Sequence, residues 1–232
     1  MMNKRLASTV LCTVTLTLSS VVARVGRYEL SSVDQSLLTF LGESSFARDL
    51  VINMIVNDYT TNYYPDIDDR LDNAIEAIEL CETDGEPIQV KGRDFLYVGS
   101  IGASRNEASL QENGITHIFN WSHSARCDMF DNIEYICITD VSGNKGMMRH
   151  LDELDKHVDS LDSIIKSGGR VLVHCFYGKN RSVTHLIAYL MKYEGMTAVE
   201  ANNLIKETRP KAKPYWDVLE EYASHLENLN NE

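Results

Sequence analysis

Positive charge is scarce in this 232-residue chain: 22 Lys and Arg stand against 34 Asp and Glu, leaving a formal net charge of −12 and a pI near 5.0. Nucleic-acid backbones and anionic membrane surfaces are held by basic patches, so neither is expected as a partner. Cysteine is sparse as well. Cys12, Cys81, Cys127, Cys137 and Cys175 show neither the paired spacing of a zinc site nor the density of a disulfide framework. An odd count of this kind fits a reducing compartment. None of the seven histidines shows ligand spacing, so no metal is expected. Internal repeats and low-complexity tracts are missing. The run from Leu6 to Val22 is uncharged but too short and too polar for a stable membrane span. What is present, 44% hydrophobic and 24% charged residues, is the composition of a globular protein, and the length suits one domain with an extension.

The stretch that organises the chain is Val171-Leu172-Val173-His174-Cys175-Phe176-Tyr177-Gly178-Lys179-Asn180-Arg181-Ser182. A short apolar run flanked by Gly168-Gly169 predicts a strand buried on both faces. A helical pattern starts at Ser182, so the loop between them opens a helix. Its backbone N–H groups and the helix dipole converge on one point, which makes an anion site. A cysteine held there has its thiolate stabilised by those N–H groups and by Arg181. Arg181 also offers a planar, permanently charged fork for phosphate oxygens. The phosphate cradle is therefore expected from Phe176, Tyr177, Gly178, Lys179, Asn180 and Arg181. A nucleophile and a cradle on one loop imply attack on phosphorus.

Taken in order, the chain opens with residues 1–27. Lys4 and Arg5, the uncharged run and Val21-Val22-Ala23 have the layout of a signal peptide, while abundant Ser and Thr without acids also suit a mitochondrial presequence or a disordered arm. Residues 28–87 are read as a helical extension with apolar stripes at Phe46, Leu50, Val51, Met54 and Ile55 and at Leu71, Ala74, Ile75 and Ile78. Its crowded acids read as a solvated helix face. Asp84-Gly85-Glu86-Pro87 reads as a turn and boundary, and a chain starting near Pro87 is expected to keep most of its activity. From 88 to 232 strands alternate with helices: strands at Phe95–Val98, Thr116–Trp121 and Ile133–Ile138, a helix capped by Ser104-x-x-Glu107 and ended by Gly114, and a long amphipathic helix from Leu151. Val183, Leu186, Ile187, Leu190 and Met191 mark the next helix, Thr197-x-x-Glu200 caps another, and Pro214 opens a last one. This alternation predicts an α/β fold with a central, mainly parallel sheet flanked by helices.

The central stretch resembles the His-Cys-x5-Arg-Ser/Thr signature of cysteine-dependent phosphatases. Ser182, Leu96-Tyr97-Val98-Gly99-Ser100 and Gly114-Ile115-Thr116-His117-Ile118-Phe119-Asn120 resemble the dual-specificity branch, and the likeness runs from about Phe95 to Leu229. It implies hydrolysis of phosphotyrosine and phosphoserine/phosphothreonine in proteins, a phosphorylated kinase being one such substrate, with no cofactor. Cys175 would attack phosphorus while the loop and Arg181 hold the oxygens. Asp140, just beyond a strand, would protonate the leaving oxygen and then activate water. Ser182 would donate to the departing sulfur, and His174 would support the loop. The catalytic thiol favours the cytoplasm over a secreted or mitochondrial location. Two departures stand out: Phe176 and Tyr177 replace small residues, and Lys179-Asn180 replaces a more usual variable-Ser pair. A lysine there resembles lipid and inositol-phosphate phosphatases, an asparagine RNA 5′-triphosphatases. The alternatives are therefore a phosphatase of such non-protein polyanions, or a phosphate-binding module without turnover.

Overall fold

The computed structural model describes residues 76–77, 79–81, 83–122, 130–138 and 150–229. The leader, both apolar stripes of the extension, Cys12, Cys127 and Asp140 lie outside them. The chain divides into two compact units, 1–78 and 79–232. The second one carries the elements below.

In that unit β1 (Ile88–Gln89), β2 (Leu96–Gly99), β3 (His117–Asn120), β4 (Glu134–Cys137) and β5 (Val171–His174) form a sheet ordered β1-β2-β5-β3-β4. β2, β5, β3 and β4 run parallel, and β1 pairs antiparallel with β2 as an edge hairpin that the alternation of elements did not reveal. β5 lies at the middle and is buried along its whole length. Its side chains feed two cores because successive residues point to opposite faces. Val171 and Val173 join Leu96, Val98 and Phe119 on one face, while Leu172 joins Tyr97 and Ile118 on the other. A continuous apolar run is what a strand covered on both sides requires.

The helices are α1 (Glu107–Glu112), α2 (Leu151–Lys166), α3 (Arg181–Glu194), α4 (Ala198–Thr208) and α5 (Trp216–Leu229). Leu110 of α1 packs on the Leu172 face, and Leu154, Leu186, Ile205 and Leu219 of α2 to α5 pack on the Val173 face. α3 is the middle helix of that layer. Every residue from Ser182 to Met191 is buried, so the apolar stripe read from the sequence is only part of its covered surface. Thr184, one of the polar residues it buries, is satisfied twice, donating to the Asn180 carbonyl at 2.9 Å and accepting from the Tyr215 N–H at 3.0 Å. Asp155 of α2 ties three helices together, accepting from Lys192 of α3 at 2.7 Å and from Tyr222 of α5 at 2.6 Å.

The capping box expected at α4 is present, with the Glu200 N–H on Thr197 Oγ1 at 3.2 Å and the Thr197 N–H on Glu200 Oε2 at 2.8 Å. The cap expected at Ser104 is not. Ser104 lies inside a 3₁₀ turn (Ala103–Arg105) and gives its hydroxyl to the Ile101 carbonyl at 2.9 Å, while Asn106 caps α1 by accepting from the Ser109 N–H. The tight turn after β2 uses up the hydroxyl before the helix begins. Among the described residues neither Cys81 nor Cys175 is in a disulfide. Cys137 is disulfide-bonded, a pairing that the spacing of the cysteines did not reveal.

Candidate active site

β5 ends at the centre of the sheet and delivers His174 and Cys175 to its carboxyl edge, where parallel sheets commonly hold their ligands. The register sets His174 beside Gly99 on one neighbour and Asn120 on the other. The chain then turns through residues 175–180 into α3. Asn180 occupies the N-cap position without a side-chain cap, which leaves the first-turn N–H groups open to a ligand.

The carbonyls of residues 176–180 are taken, four of them by groups from other segments and the last by the helix that follows. Phe176 O accepts from the Ile101 N–H at 2.9 Å, and Lys179 O from the Lys213 N–H at 2.8 Å. Tyr177 O and Gly178 O both accept from Arg209, at 3.2 Å and 2.5 Å. Asn180 O accepts from the Thr184 N–H at 2.8 Å. In a planar trans peptide the N–H points opposite to the C=O, so pinning these carbonyls outward turns the following N–H groups inward. The N–H of Lys179 in the loop and that of Ser182 in the first turn of α3 reach Cys175.

Burial pushes the Cys175 thiol up, since the residue is 3% exposed and a thiolate is poorly solvated there. The Arg181 charge, the Ser182 hydroxyl at 3.3 Å from Sγ and the two N–H groups outweigh it, and the thiol ends below its ordinary value. Arg181 is itself oriented by giving Nη1 to the Trp121 carbonyl at 2.6 Å. Trp121 is anchored in turn, its indole N–H on His185 Nδ1 at 2.8 Å and its backbone N–H on the His174 carbonyl at 2.9 Å. His174 is 1% exposed. Burial above all pushes its pKa down to about 3, with Arg105 and Arg181 adding to the shift, so the ring stays neutral near neutral pH and is no proton carrier for the reaction.

The other loop side chains separate. Phe176 is buried, whereas Tyr177 stands on the rim, edge-on to Phe176 at 4.9 Å with Lys179 Nζ 5.2 Å from its ring centre. The Asn180 amide turns away to the Lys213 carbonyl at 2.6 Å. Gly178 has φ +60°, and a Cβ there would lie 2.2 Å from Arg209 Nη2 and 2.4 Å from the Gly99 carbonyl. Gly178→Ala should therefore lower kcat/KM by about 100-fold, because a shift of the loop by about 1 Å misplaces the attacking sulfur. A steady-state assay returning the wild-type value would show that the loop absorbs the methyl group.

The family pattern described as "Dual specificity phosphatase, catalytic domain" matches residues 96–225. This chain belongs to the dual-specificity phosphatase family. Dual specificity protein phosphatase 1 of Arabidopsis thaliana is 34% identical over 156 residues, which is 66% of this chain and 76% of that protein. Human Dual specificity protein phosphatase 18 is 30% identical over 138 residues, covering 58% and 72%. The solved structure of DUSP15 superposes with a TM-score of 0.52 at 27% identity over 62% of this chain and 96% of that one. Human DUSP28, at 24% identity and a TM-score of 0.53, shares the fold over 61% and 95%. The chain is thus a protein phosphatase, and its five-stranded sheet flanked by helices is the family's architecture.

The fold gathers Cys175, Arg181, Ser182, His174 and the Gly178-Lys179 backbone at one edge of the phosphatase's sheet. The sequence reading overlooked Arg209, Asp84 and Trp121. Arg209 precedes Pro210 at the end of α4 and reads as a solvated helix terminus, yet it is 1% exposed. Its one hint was a position just past a capped amphipathic helix. Trp121 was visible only as the end of a strand.

Proposed function

We propose that the phosphatase cleaves phosphotyrosine and phosphoserine/phosphothreonine monoesters of proteins through a cysteinyl-phosphate formed on Cys175. The observation that carries this reading is a buried thiol with a lowered pKa, facing Arg181, Ser182 and inward-turned N–H groups. In the first step Cys175 Sγ bonds to phosphorus and the ester oxygen leaves. The loop N–H groups and the Arg181 fork hold the equatorial oxygens. Asp140 gives its proton to the leaving oxygen. In the second step Asp140 takes a proton from water, whose oxygen bonds to phosphorus, and the sulfur departs with Ser182 donating to it.

Asp140 suits this role by its place in the chain. β4 runs parallel to β3 and β5, with Cys137 level with Asn120 and hence with His174. Its carboxyl end therefore opens on the same edge as Cys175, two strand spacings or roughly 10 Å away. Asp140 follows Ile138 by two residues, a separation of at most about 7 Å along the chain.

The Asn180 amide is engaged by the Lys213 carbonyl, which weakens the RNA 5′-triphosphatase reading, while Lys179 lies over the Tyr177 ring on the rim. Phosphotyrosine, phosphoserine and phosphothreonine peptides, inositol phosphates and 5′-triphosphorylated RNA should be assayed side by side. Phosphopeptide turnover is expected to lead in kcat/KM by roughly tenfold or more, the discrimination one or two lost contacts provide. A lead for either polyanion would replace this reading. No turnover of any of them would leave a phosphate-binding module.

A further inference from the structure

Arg209 is a costly residue to bury, since a guanidinium gives up strong hydration and must be paired in full. At 1% exposure it meets that demand in one direction only. Nη1 and Nη2 grip the Asp84 carboxylate at 3.3 and 2.7 Å, while Nε and Nη2 reach Gly178 O and Tyr177 O. Asp84 is secured as well. Lys211 Nζ sits on Oδ2 at 2.7 Å, and Ser100 donates to the Asp84 carbonyl at 2.9 Å while accepting the Gly102 N–H. Burial raises the Asp84 carboxyl, and the Arg209 and Lys211 contacts overcome that to hold it below its usual range, so it is ionised near neutral pH.

The contact with Gly178 matters for a geometric reason. The peptide whose carbonyl Arg209 grips is the one whose N–H, that of Lys179, reaches the Cys175 sulfur. Its carbonyl and N–H are opposite ends of one rigid plane, so fixing one end aims the other. We propose that Arg209, held in register by Asp84, is a positioning residue that aims the Gly178–Lys179 peptide at the nucleophile and at the oxygens of a bound phosphoryl group. This rests on the reading of Cys175 as the nucleophile. It also assigns part of the loop's geometry to Asp84, which precedes the segment where the catalytic domain was expected to begin. A chain cut near Pro87 would lose that anchor.

Charge alone does not explain the pair, because Arg209→Lys keeps the cation but cannot make the fork. In the full-length protein, Arg209→Lys and Asp84→Asn should be compared with wild type after circular dichroism confirms their fold. Two readouts need no turnover: the pH dependence of Cys175 alkylation by iodoacetamide, and protection of Cys175 from that alkylation by inorganic phosphate. For Arg209→Lys the alkylation inflection should move up by about one pH unit and phosphate should bind about tenfold more weakly, as expected when a hydrogen bond to a charged group is misaligned. Asp84→Asn should move both in the same direction by less. Native-like variants with profiles superimposable on wild type would overturn the proposal. So would unfolding of both, which would reduce the pair to a structural staple. Failure of the underlying reading looks different: wild type itself would lack a low inflection, or Cys175→Ser would still turn over.

Discussion

Cys175→Ser should abolish turnover of every substrate and still bind inorganic phosphate. A serine hydroxyl at the end of β5 meets the same Arg181 charge and N–H groups, but its pKa starts far above that of a thiol, so no alkoxide forms to attack phosphorus. Removal of an active-site nucleophile typically lowers kcat on the order of 10⁴–10⁶-fold. The cradle survives, because the loop carbonyls are pinned by Ile101, Arg209 and Lys213, none of which depends on the sulfur. Loss of the thiolate even removes a negative charge that repels the bound anion, so phosphate should bind as tightly as in wild type or more so. Turnover by single-turnover assay and phosphate affinity by calorimetry separate the two effects. Residual activity above about 1% of wild type, far more than a missing nucleophile leaves, would place the nucleophile elsewhere. Loss of phosphate binding would mean that the sulfur itself shapes the loop.

The second large effect belongs to Asp140→Ala, and it should depend on the leaving group. General acid catalysis is typically worth ~10²–10⁴-fold, and that loss should appear in full with phosphoserine and phenyl phosphate. An activated aryl phosphate, whose phenolate leaves unprotonated, should suffer far less. The pH profile carries the same signature. The wild type needs Cys175 as thiolate and Asp140 as acid, so its rate should rise as the thiol deprotonates and fall as the carboxyl does. The alanine variant should keep the acid limb and lose the alkaline one. His174 cannot substitute for the missing acid, because its burial keeps the ring neutral through the working range. Equal losses on good and poor leaving groups, with the alkaline limb intact, would remove Asp140 from this role.

Both predictions concern residues that are legible in the order of amino acids, and for the loop the reason is distance along the chain. Nucleophile, turn glycine, arginine and serine lie within eight residues from Cys175 to Ser182, so local spacing alone brings them together. The same holds for the apolar run of β5 and the Thr197–Glu200 box, where a strand's burial and a helix cap are written in neighbouring residues. Ser104 shows the limit of such patterns. The spacing of a capping box was there, but a 3₁₀ turn took the hydroxyl and Asn106 did the capping.

The amino-acid order is enough for the chemistry: a buried strand ending in cysteine, a loop built for an anion, an arginine to bind it, and alternating elements that require a mainly parallel sheet. What holds that loop in shape follows only from the packed fold. Arg209 meets Asp84 across 125 residues of chain, and Trp121 meets His185 across 64. Neither pair has a local signature, because each exists only once the strand order β1-β2-β5-β3-β4 has brought distant segments to one edge of the sheet. Hydrogen bonds within a loop or helix turn follow from backbone geometry that neighbouring residues share. Those between segments follow from packing, and a buried arginine at the end of α4 reads the same as a solvated one until its partners arrive.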